Sequence, residues 1–170
     1  MKHGIKGLAR KDVTSRYFVS WFFSMDDWLD AGATPDDFDY GRLIHDEKLN
    51  NYAYGFYIDN NIDGIIKLSL ACNEVFIDML FVNPDKQNWG IGTELMSYAI
   101  DKFGNRYDMS LNVFGLNDGG IRFYDRFGFK KIKPFSHYEW GTGAIRRCYT
   151  MKRDKKPKEI MESTRPRRIM

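Results

Sequence analysis

The most constraining feature of the sequence is an apolar run followed at once by a glycine-rich helix start. Residues 75–82 read VFIDMLFV, a run of residues that favour β-strands. Residues 85–96, DKQNWGIGTELM, then place Gly90 and Gly92 where apolar residues begin to recur at helical spacing. Because glycine is a poor helix former, two glycines at this point need a reason other than helix stability. The pattern predicts a strand buried on both faces, a tight connection and an amphipathic helix.

The remaining segments predict a mixed α/β fold in the order helix, helix, three strands, helix, strand, helix, two strands. The early antiparallel hairpin comes before a β-α-β crossover, so we expect a mixed sheet covered by helices. Apolar spacing and Thr34-Pro35 as a cap predict the two N-terminal helices. The predicted helices are 17–29, 34–50, 91–103 and 118–127, and the predicted strands are 52–58, 62–70, 75–82, 109–113, 129–133 and 146–151.

Composition narrows the class of protein. The chain has 170 residues and a net charge of +3, which does not by itself indicate a nucleic-acid partner. It has no apolar run long enough to span a bilayer and no apolar core of a signal peptide near its start, so we expect a cytoplasmic protein without a membrane partner. Cys72 and Cys148 lie in segments predicted as strands and are expected to be buried free thiols. No histidine or cysteine spacing indicates a metal site.

Charge is distributed unevenly along the chain. The predicted organisation is a single domain over residues 1–151 and a flexible tail over residues 152–170, where eight basic residues accompany three acidic ones. Residues 26–47 contain eight acidic residues and one basic residue, Arg42. Such a segment beside a binding site would attract cationic ligands, although Asp36 and Asp37 are also explained as helix-capping residues.

The two glycines have a physical use at a helix start. The first amides of a helix have no partner within the helix, and the helix dipole adds partial positive charge there. Without Cβ atoms, the backbone can approach the oxygens of an anion such as a diphosphate. The dinucleotide fingerprint fails because Leu95 stands where it needs a third glycine, and the P-loop fails because Gly92-Thr93-Glu94 lacks its lysine.

Two motifs resemble those of the GNAT N-acetyltransferase superfamily. Residues 87–92, QNWGIG, follow Val-Asn-Pro and resemble the family's pyrophosphate loop, Gln/Arg-x-x-Gly-x-Gly/Ala. Residues 117–129, NDGGIRFYDRFGF, resemble its second cofactor motif, N-x-x-A-x-x-x-Y followed by G-F. Asn117 and Tyr124 have the required separation, and Gly120 stands in place of the usual alanine. The resemblance extends over about residues 52–151.

The resemblance implies a mixed, mostly antiparallel sheet of six to seven strands with about four helices, opened between the fourth strand (75–82) and the fifth (109–113). It implies that acetyl-CoA lies in the opening, pairs with the fourth strand and donates an acetyl group to an amine in a ternary complex. A backbone amide near Leu80 or Phe81 would polarise the thioester carbonyl. The cofactor-binding residues implied are Leu80, Phe81, Val82, Gln87, Asn88, Trp89, Gly90, Ile91, Gly92, Thr93, Asn117 and Tyr124.

Two residues are candidates for acid–base chemistry. The resemblance makes Tyr124 the general acid for the leaving thiolate, and the alternative is a core aromatic beside Phe123. Asp78 interrupts the apolar fourth strand, and a buried carboxylate could take the proton of the amine. Strand alternation predicts that Asp78 shares a face with Leu80 and Val82. The alternative for Asp78 is a structural carboxylate paired with a lysine or with backbone amides.

The sequence is compatible with several acceptors and with two other functional classes. The acidic segment makes a polyamine, an aminoglycoside, or the lysine or N-terminus of a peptide one hypothesis. Two other functional classes are an acyl-CoA sensor without catalysis and a transferase acting on charged tRNA through the basic tail. The family resemblance adds the expectation of a homodimer formed by edge strands. His137, in the late hairpin, could line the acceptor site, although for His137 and His45 a surface or packing role is favoured.

Overall fold

A computed structural model describes residues 1–25, 34–36, 38–138 and 143–156. Seven strands form one sheet, and the described residues contain four α-helices. The strands are β1 His3–Gly7, β2 Asn51–Ile58, β3 Asn61–Ala71, β4 Glu74–Val82, β5 Asp108–Phe114, β6 Lys130–Tyr138 and β7 Ile145–Arg153. The helices are α1 Arg10–Val13, α2 Arg16–Phe22, α3 Ile91–Phe103 and α4 Asp118–Arg126.

The sheet has the order β1-β2-β3-β4-β5-β7-β6. Its pairs are antiparallel except β4–β5, the parallel pair that α3 connects. The prediction of a mixed, mostly antiparallel sheet is therefore confirmed. The strand β1 was not predicted: it has five residues, of which only Ile5 and Gly7 are partly buried, so its sequence lacks a strong strand pattern.

Two apolar clusters cover the two faces of the sheet. On one face, α3 inserts Leu95 and Met96 against Ile66 and Leu68 of β3. On the opposite face, Phe18 and Phe22 of α2 belong to a second cluster that is rich in aromatic rings, and the rings of these two residues stack at 4.8 Å. The spacing of apolar residues therefore predicts the buried face of both helices correctly.

The predicted helix over 34–50 is wrong. The chain forms two short 3-10 turns instead, Tyr40–Leu43 and Glu47–Leu49. The side chain of Asp39 accepts a hydrogen bond from the Gly41 amide, and Asp46 accepts one from the Lys48 amide. Aspartates that bond to nearby backbone amides compete with helix hydrogen bonds, so they favour local turns. Part of the first predicted helix, with Trp28 and Leu29, and the predicted capping residue Asp37 lie outside the described residues.

Burial of β4 and of the cysteines also differs from prediction. Within β4 only Val75 and Ile77 are buried, because the outer half of the strand pairs with β3 on one side but not with β5 on the other. Cys148 is buried in β7 as expected, but Cys72 is exposed. Cys72 lies in the turn between β3 and β4 with a φ of 50°, and Asn73 follows with a φ of 62°. A strand pattern that continues into a turn explains this error.

The basic segment begins later than predicted. The strand β7 extends to Arg153, so Lys152 and Arg153 belong to the sheet. Arg153 is 7% exposed, and its guanidinium donates to the carbonyls of Gly104 and Phe127, which lie at the ends of α3 and α4. This side chain therefore joins the C-terminal ends of both helices. Residues 157–170 lie outside the described residues, and among the described residues no helix has the length and apolarity to cross a membrane.

Candidate functional site

The sheet opens between its two parallel strands. The pairing of β4 with β5 covers only Glu74–Ile77 and Asp108–Leu111, although β4 continues to Val82 and β5 to Phe114. Beyond Ile77 the two strands no longer pair, and within the described parts of the chain no other strand takes the place of β5 there. This gap was predicted from the family resemblance. An open strand edge of this kind can pair with an extended ligand.

The helix α3 begins at the mouth of this gap. Its N-cap is Gly90, whose φ of 84° is in the left-handed region that favours glycine. A Cβ atom on Gly92 would lie 3.6 Å from Phe123 and 3.7 Å from Val82, which is ordinary contact distance. The protein alone therefore does not require a glycine at position 92. The two glycines leave the first amides of α3 accessible, and these amides have no partner within the helix.

A cleft of about 610 Å³ extends from this helix start to α4. Asn117 lies on its far wall, where its side chain caps α4 by accepting a hydrogen bond of 2.8 Å from the Gly120 amide. A Cβ atom on Gly120 would lie 2.6 Å from Nδ2 of the Asn117 side chain, so this cap requires a glycine at position 120. We call this space the cofactor cleft. The predicted residues that line it are Leu80, Phe81, Val82, Gln87, Asn88, Gly90, Ile91, Gly92, Thr93, Asn117 and Tyr124.

Trp89 is the one predicted cofactor residue that does not line this cleft. Its side chain is 57% exposed, and the ammonium group of Lys86 lies 4.1 Å from the centre of one of its rings. The cleft also contains lining residues that were not predicted: Met25, Gly119, Gly120, Phe123 and Arg126. Arg126 ends α4 and could have been noticed as a cation two residues after Tyr124.

A second cleft, of about 360 Å³, lies between the outer halves of β4 and β5 and extends over β7 to β6. We call it the acceptor cleft. Its lining includes Asp78, Tyr124 and His137, which are far apart in sequence. The two clefts share Leu80, Phe81, Asn117 and Tyr124. These four residues therefore mark the place where a ligand in one cleft would meet a ligand in the other.

Asp78 differs from its prediction in burial and face. The register pairs Ile77 with Leu68 and Met79 with Lys67, so Asp78 is the extra residue of a β-bulge. Its side chain is 26% exposed, and its Oδ2 lies 2.7 Å from the Lys67 ammonium. Asp78 also accepts a bond of 3.4 Å from the Ser69 hydroxyl. The lysine pairing is the alternative that the sequence left open.

The bulge also reverses the alternation of side chains along β4. Leu80 and Val82 pack on the face of the sheet that carries α3. Asp78 instead bonds to Lys67 and Ser69, which alternate along β3 with residues of the α3 face. The prediction that Asp78 shares a face with Leu80 and Val82 is therefore wrong. The bulge places Asp78 and Met79 on the same face, so that Leu80 and Val82 lie on the opposite one, and Asp78 lines the acceptor cleft.

A buried polar cluster holds the chain in place just before the glycine loop. Asp63, 2% exposed, accepts hydrogen bonds from the Tyr17 hydroxyl at 2.5 Å and from the Asn83 amide at 2.9 Å. Burial, together with the hydrogen bond and charge of Asp63, raises the pKa of Tyr17 to about 12. Asn83 also accepts a bond from the Asp85 amide. The cluster thus connects α2 and β3 to the turn that leads into the loop.

The charge of the acidic segment predicts that it lies beside a binding site, but its described acidic side chains have other positions. Asp39 and Asp46 cap 3-10 turns, and Glu47 lies 3.3 Å from His45. Among the described residues 34–36 and 38–47, no acidic side chain lines either cleft. His45 packs against Tyr54 with ring centres 4.7 Å apart, as favoured from sequence, whereas His137 is exposed and lines the acceptor cleft. No group of three metal-ligating side chains occurs within the part of the chain that the structure describes.

A sheet opened between parallel strands, with a glycine-led helix at the opening, can bind an extended ligand that carries phosphate groups. The sequence resemblance implies that this arrangement belongs to an acyl-CoA-dependent transferase. The family model described as the Acetyltransferase (GNAT) family matches residues 14–129. The chain therefore belongs to the GNAT acetyltransferase family, whose members bind acetyl-CoA or CoA. Comparison with curated proteins found no matching sequence.

Solved structures support the same fold. A probable acetyltransferase from Staphylococcus epidermidis ATCC 12228 has a TM-score of 0.75 at 12% identity, over 91% of this chain and 100% of that chain. Naa50 from Arabidopsis thaliana, in complex with the bisubstrate analogue CoA-Ac-MVNAL, has a TM-score of 0.67 at 19% identity, over 91% of this chain and 99% of that chain. A chimera of the spermidine N-acetyltransferase SpeG from Vibrio cholerae has a TM-score of 0.71 at 16% identity, over 91% and 96%. At these identities the likeness shows the fold alone.

Proposed function

We propose that this protein is an N-acetyltransferase that moves an acetyl group from acetyl-CoA to a primary amine by direct attack within a ternary complex. The observation that carries this proposal is the meeting of the two clefts at Leu80, Phe81, Asn117 and Tyr124. A thioester placed from the cofactor cleft and an amine placed from the acceptor cleft would come into contact there. Holding both reactants in one geometry supplies much of the rate gain of a two-substrate reaction.

The cofactor cleft fits acetyl-CoA at both ends of the ligand. Within residues 87–93, the N-terminal amides of α3 would bind the pyrophosphate, whereas the amides of Gln87 and Trp89 already donate to the Pro84 and Lys86 carbonyls. The β5-facing edge of β4 at Leu80–Val82, which lies beyond the end of the β4–β5 ladder, would pair with the amide groups of the pantetheine arm. Asn117 would contact the ligand from the α4 side. When bound, acetyl-CoA supplies a thioester, whose thiolate is a good leaving group.

Residues at the junction would assist the transfer. A backbone amide at Leu80 or Phe81 would donate to the thioester oxygen, where negative charge develops during attack. Tyr124 lies in the lining of both clefts, and we assign its hydroxyl the donation of a proton to the departing thiolate sulfur.

The amine must lose a proton before its nitrogen can attack the carbonyl carbon. We assign this step to the Asp78 carboxylate, directly or through a water molecule, because the bulge directs it to the acceptor cleft. Lys67 and Ser69 orient the carboxylate and reduce its charge toward the amine. The proposal of a cationic acceptor, such as a polyamine, aminoglycoside, or lysine or N-terminus of a peptide, has less support than the acidic segment first indicated, since Asp39 and Asp46 act as caps.

A thiol-release assay tests the proposed function. Purified protein is mixed with acetyl-CoA and a panel of primary amines, and free CoA thiol is measured for wild type, Tyr124→Phe and Asp78→Asn. We expect amine-dependent release by the wild type and slower release by both variants. If acetyl-CoA binds but no amine stimulates release, the protein is an acyl-CoA sensor and the proposed transferase activity is wrong.

A further inference from the structure

The acceptor cleft has a wall of aromatic rings. Phe76 and Phe81 come from β4, Phe114 from β5 and Phe135 from β6. The register aligns Phe114 with Phe135, because both lie opposite Cys148 of β7, the strand between β5 and β6. All four side chains are partly exposed rather than buried. Partly exposed rings around one cleft gain free energy when an apolar ligand removes them from water.

The same cleft contains one carboxylate, that of Asp78, among its described lining residues. The ammonium of Lys67 already compensates this charge at 2.7 Å. A single, partly compensated carboxylate beside apolar rings complements a ligand with one ammonium group and an apolar body. A ligand with several separated cations would find no second carboxylate for its additional charges among the described lining residues.

Resting on the proposed function, we infer that the acceptor is a monoamine whose nitrogen is carried by a short chain on an aromatic or similarly bulky apolar group. The amine meets Asp78 and the Leu80–Phe81 junction, and the apolar group lies against Phe114 and Phe135. A free arylalkylamine and a peptide N-terminus with an apolar first residue share this chemistry. The ring, rather than the number of charges, determines which amine is used.

The test compares matched amines in the thiol-release assay. 2-Phenylethylamine is compared with ethylamine, which lacks the ring, and with spermidine, which has several cations. We expect kcat/KM to be about 10-fold to 100-fold higher for 2-phenylethylamine than for ethylamine, the range that corresponds to burying one phenyl group. Two tetrapeptides that differ only in an N-terminal Phe or Gly repeat the ring comparison on a peptide. A higher kcat/KM for the Phe peptide than for 2-phenylethylamine assigns the apolar group to a peptide, and the reverse assigns it to a free amine.

Two variants on β6 test the role of the ring, one as the test and the other as its matched control. Phe135→Ala removes a ring of the cleft at an edge strand, and we expect it to reduce the ratio of 2-phenylethylamine to ethylamine kcat/KM by about 5-fold or more. Ile132→Ala changes a side chain on β6 that is 57% exposed and does not line the cleft, so the ratio should stay unchanged. The ratio within each variant cancels any general loss of folded protein.

The outcomes separate this inference from the proposed function. Acetylation of ethylamine or spermidine as fast as the ring-bearing acceptors, with no effect of Phe135→Ala on the ratio, would overturn the inference and leave the transferase intact. Thiol release with none of the amines and neither peptide would overturn the proposed function, and the inference with it.

Discussion

Replacing Gly92 by leucine should abolish CoA binding without unfolding the protein. A Cβ atom at this position fits between Phe123 and Val82 at 3.6 and 3.7 Å, but the rest of a leucine side chain would occupy the cofactor cleft. The ligand would then lose its approach to the first amides of α3. Two lost charge-assisted hydrogen bonds, at about 1.5–3 kcal/mol each, amount to about 3–6 kcal/mol. The dissociation constant should therefore rise at least about 100-fold.

The assay is isothermal titration calorimetry with CoA and acetyl-CoA, accompanied by urea unfolding of each variant. Gly92→Ala is the control, because its methyl group makes only ordinary contacts and the family motif accepts alanine there. Both substitutions replace a glycine within a helix, which favours the helix by about 0.8 kcal/mol or less. We expect Gly92→Ala to bind CoA within a few-fold of wild type. Wild-type affinity in a folded Gly92→Leu protein would refute the assignment of the helix start as the pyrophosphate site.

Four further substitutions test other parts of the site and fold. Tyr124→Phe should lower kcat by about 100-fold or less and leave the KM for acetyl-CoA nearly unchanged in steady-state assays, because only protonation of the leaving thiolate is lost. Asp78→Asn should lower kcat/KM for the amine at pH 7, and pH–rate profiles should show recovery as rising pH deprotonates the amine in solution. Because the pKa of Tyr17 is raised to about 12 in the folded protein, the unfolded tyrosine ionises first, so the free energy of unfolding should fall as pH rises from about 10 to 12. Tyr17→Phe should reduce that fall in urea titrations across this range. Arg153→Met removes the guanidinium bonds to the Phe127 and Gly104 carbonyls, of which Gly104 keeps the Lys156 amide as a donor, and should lower the free energy of unfolding by about 1–3 kcal/mol in urea.

Each of these predictions would be contradicted by a specific result. An unchanged kcat in Tyr124→Phe removes the general-acid role, and a parallel pH profile in Asp78→Asn removes the role of base. An equal fall in stability with and without the Tyr17 hydroxyl assigns the alkaline loss to other groups. Wild-type stability of Arg153→Met would mean that water replaces the guanidinium at both helix ends.

Local sequence patterns predict the elements that carry the cofactor cleft. The helix α3, the glycine-led loop and the helix α4 each depend on residues that are close in sequence. The same reasoning fails at 34–50, where Asp39 and Asp46 bond to nearby amides and replace a helix by 3-10 turns. The spacing of apolar residues does not predict such competition, because it depends on side-chain polarity and not on the hydrogen-bond partners of the backbone.

The acceptor cleft depends on features that one sequence does not display. A single extra residue in β4 puts Asp78 on the opposite face from the one that simple alternation predicts. The contribution of Phe135 follows from the insertion of β7 between β5 and β6, which is a property of the whole sheet. The partner of Asp78, Lys67, is on a different strand, and it is the pairing of β3 with β4 that brings the two side chains within 2.7 Å. Residues of this kind are found from topology and not from motifs.

Amide hydrogen exchange with and without acetyl-CoA tests most directly whether the opened sheet and the start of α3 hold the cofactor. Because an added strand protects the amides to which it bonds, we predict slower exchange at Leu80–Val82 and at residues 87–93 when acetyl-CoA is present. Exchange in β2, which pairs with strands on both sides, should stay unchanged. Binding of acetyl-CoA without new protection in either segment, or with protection confined to other parts of the chain, would contradict the proposed site.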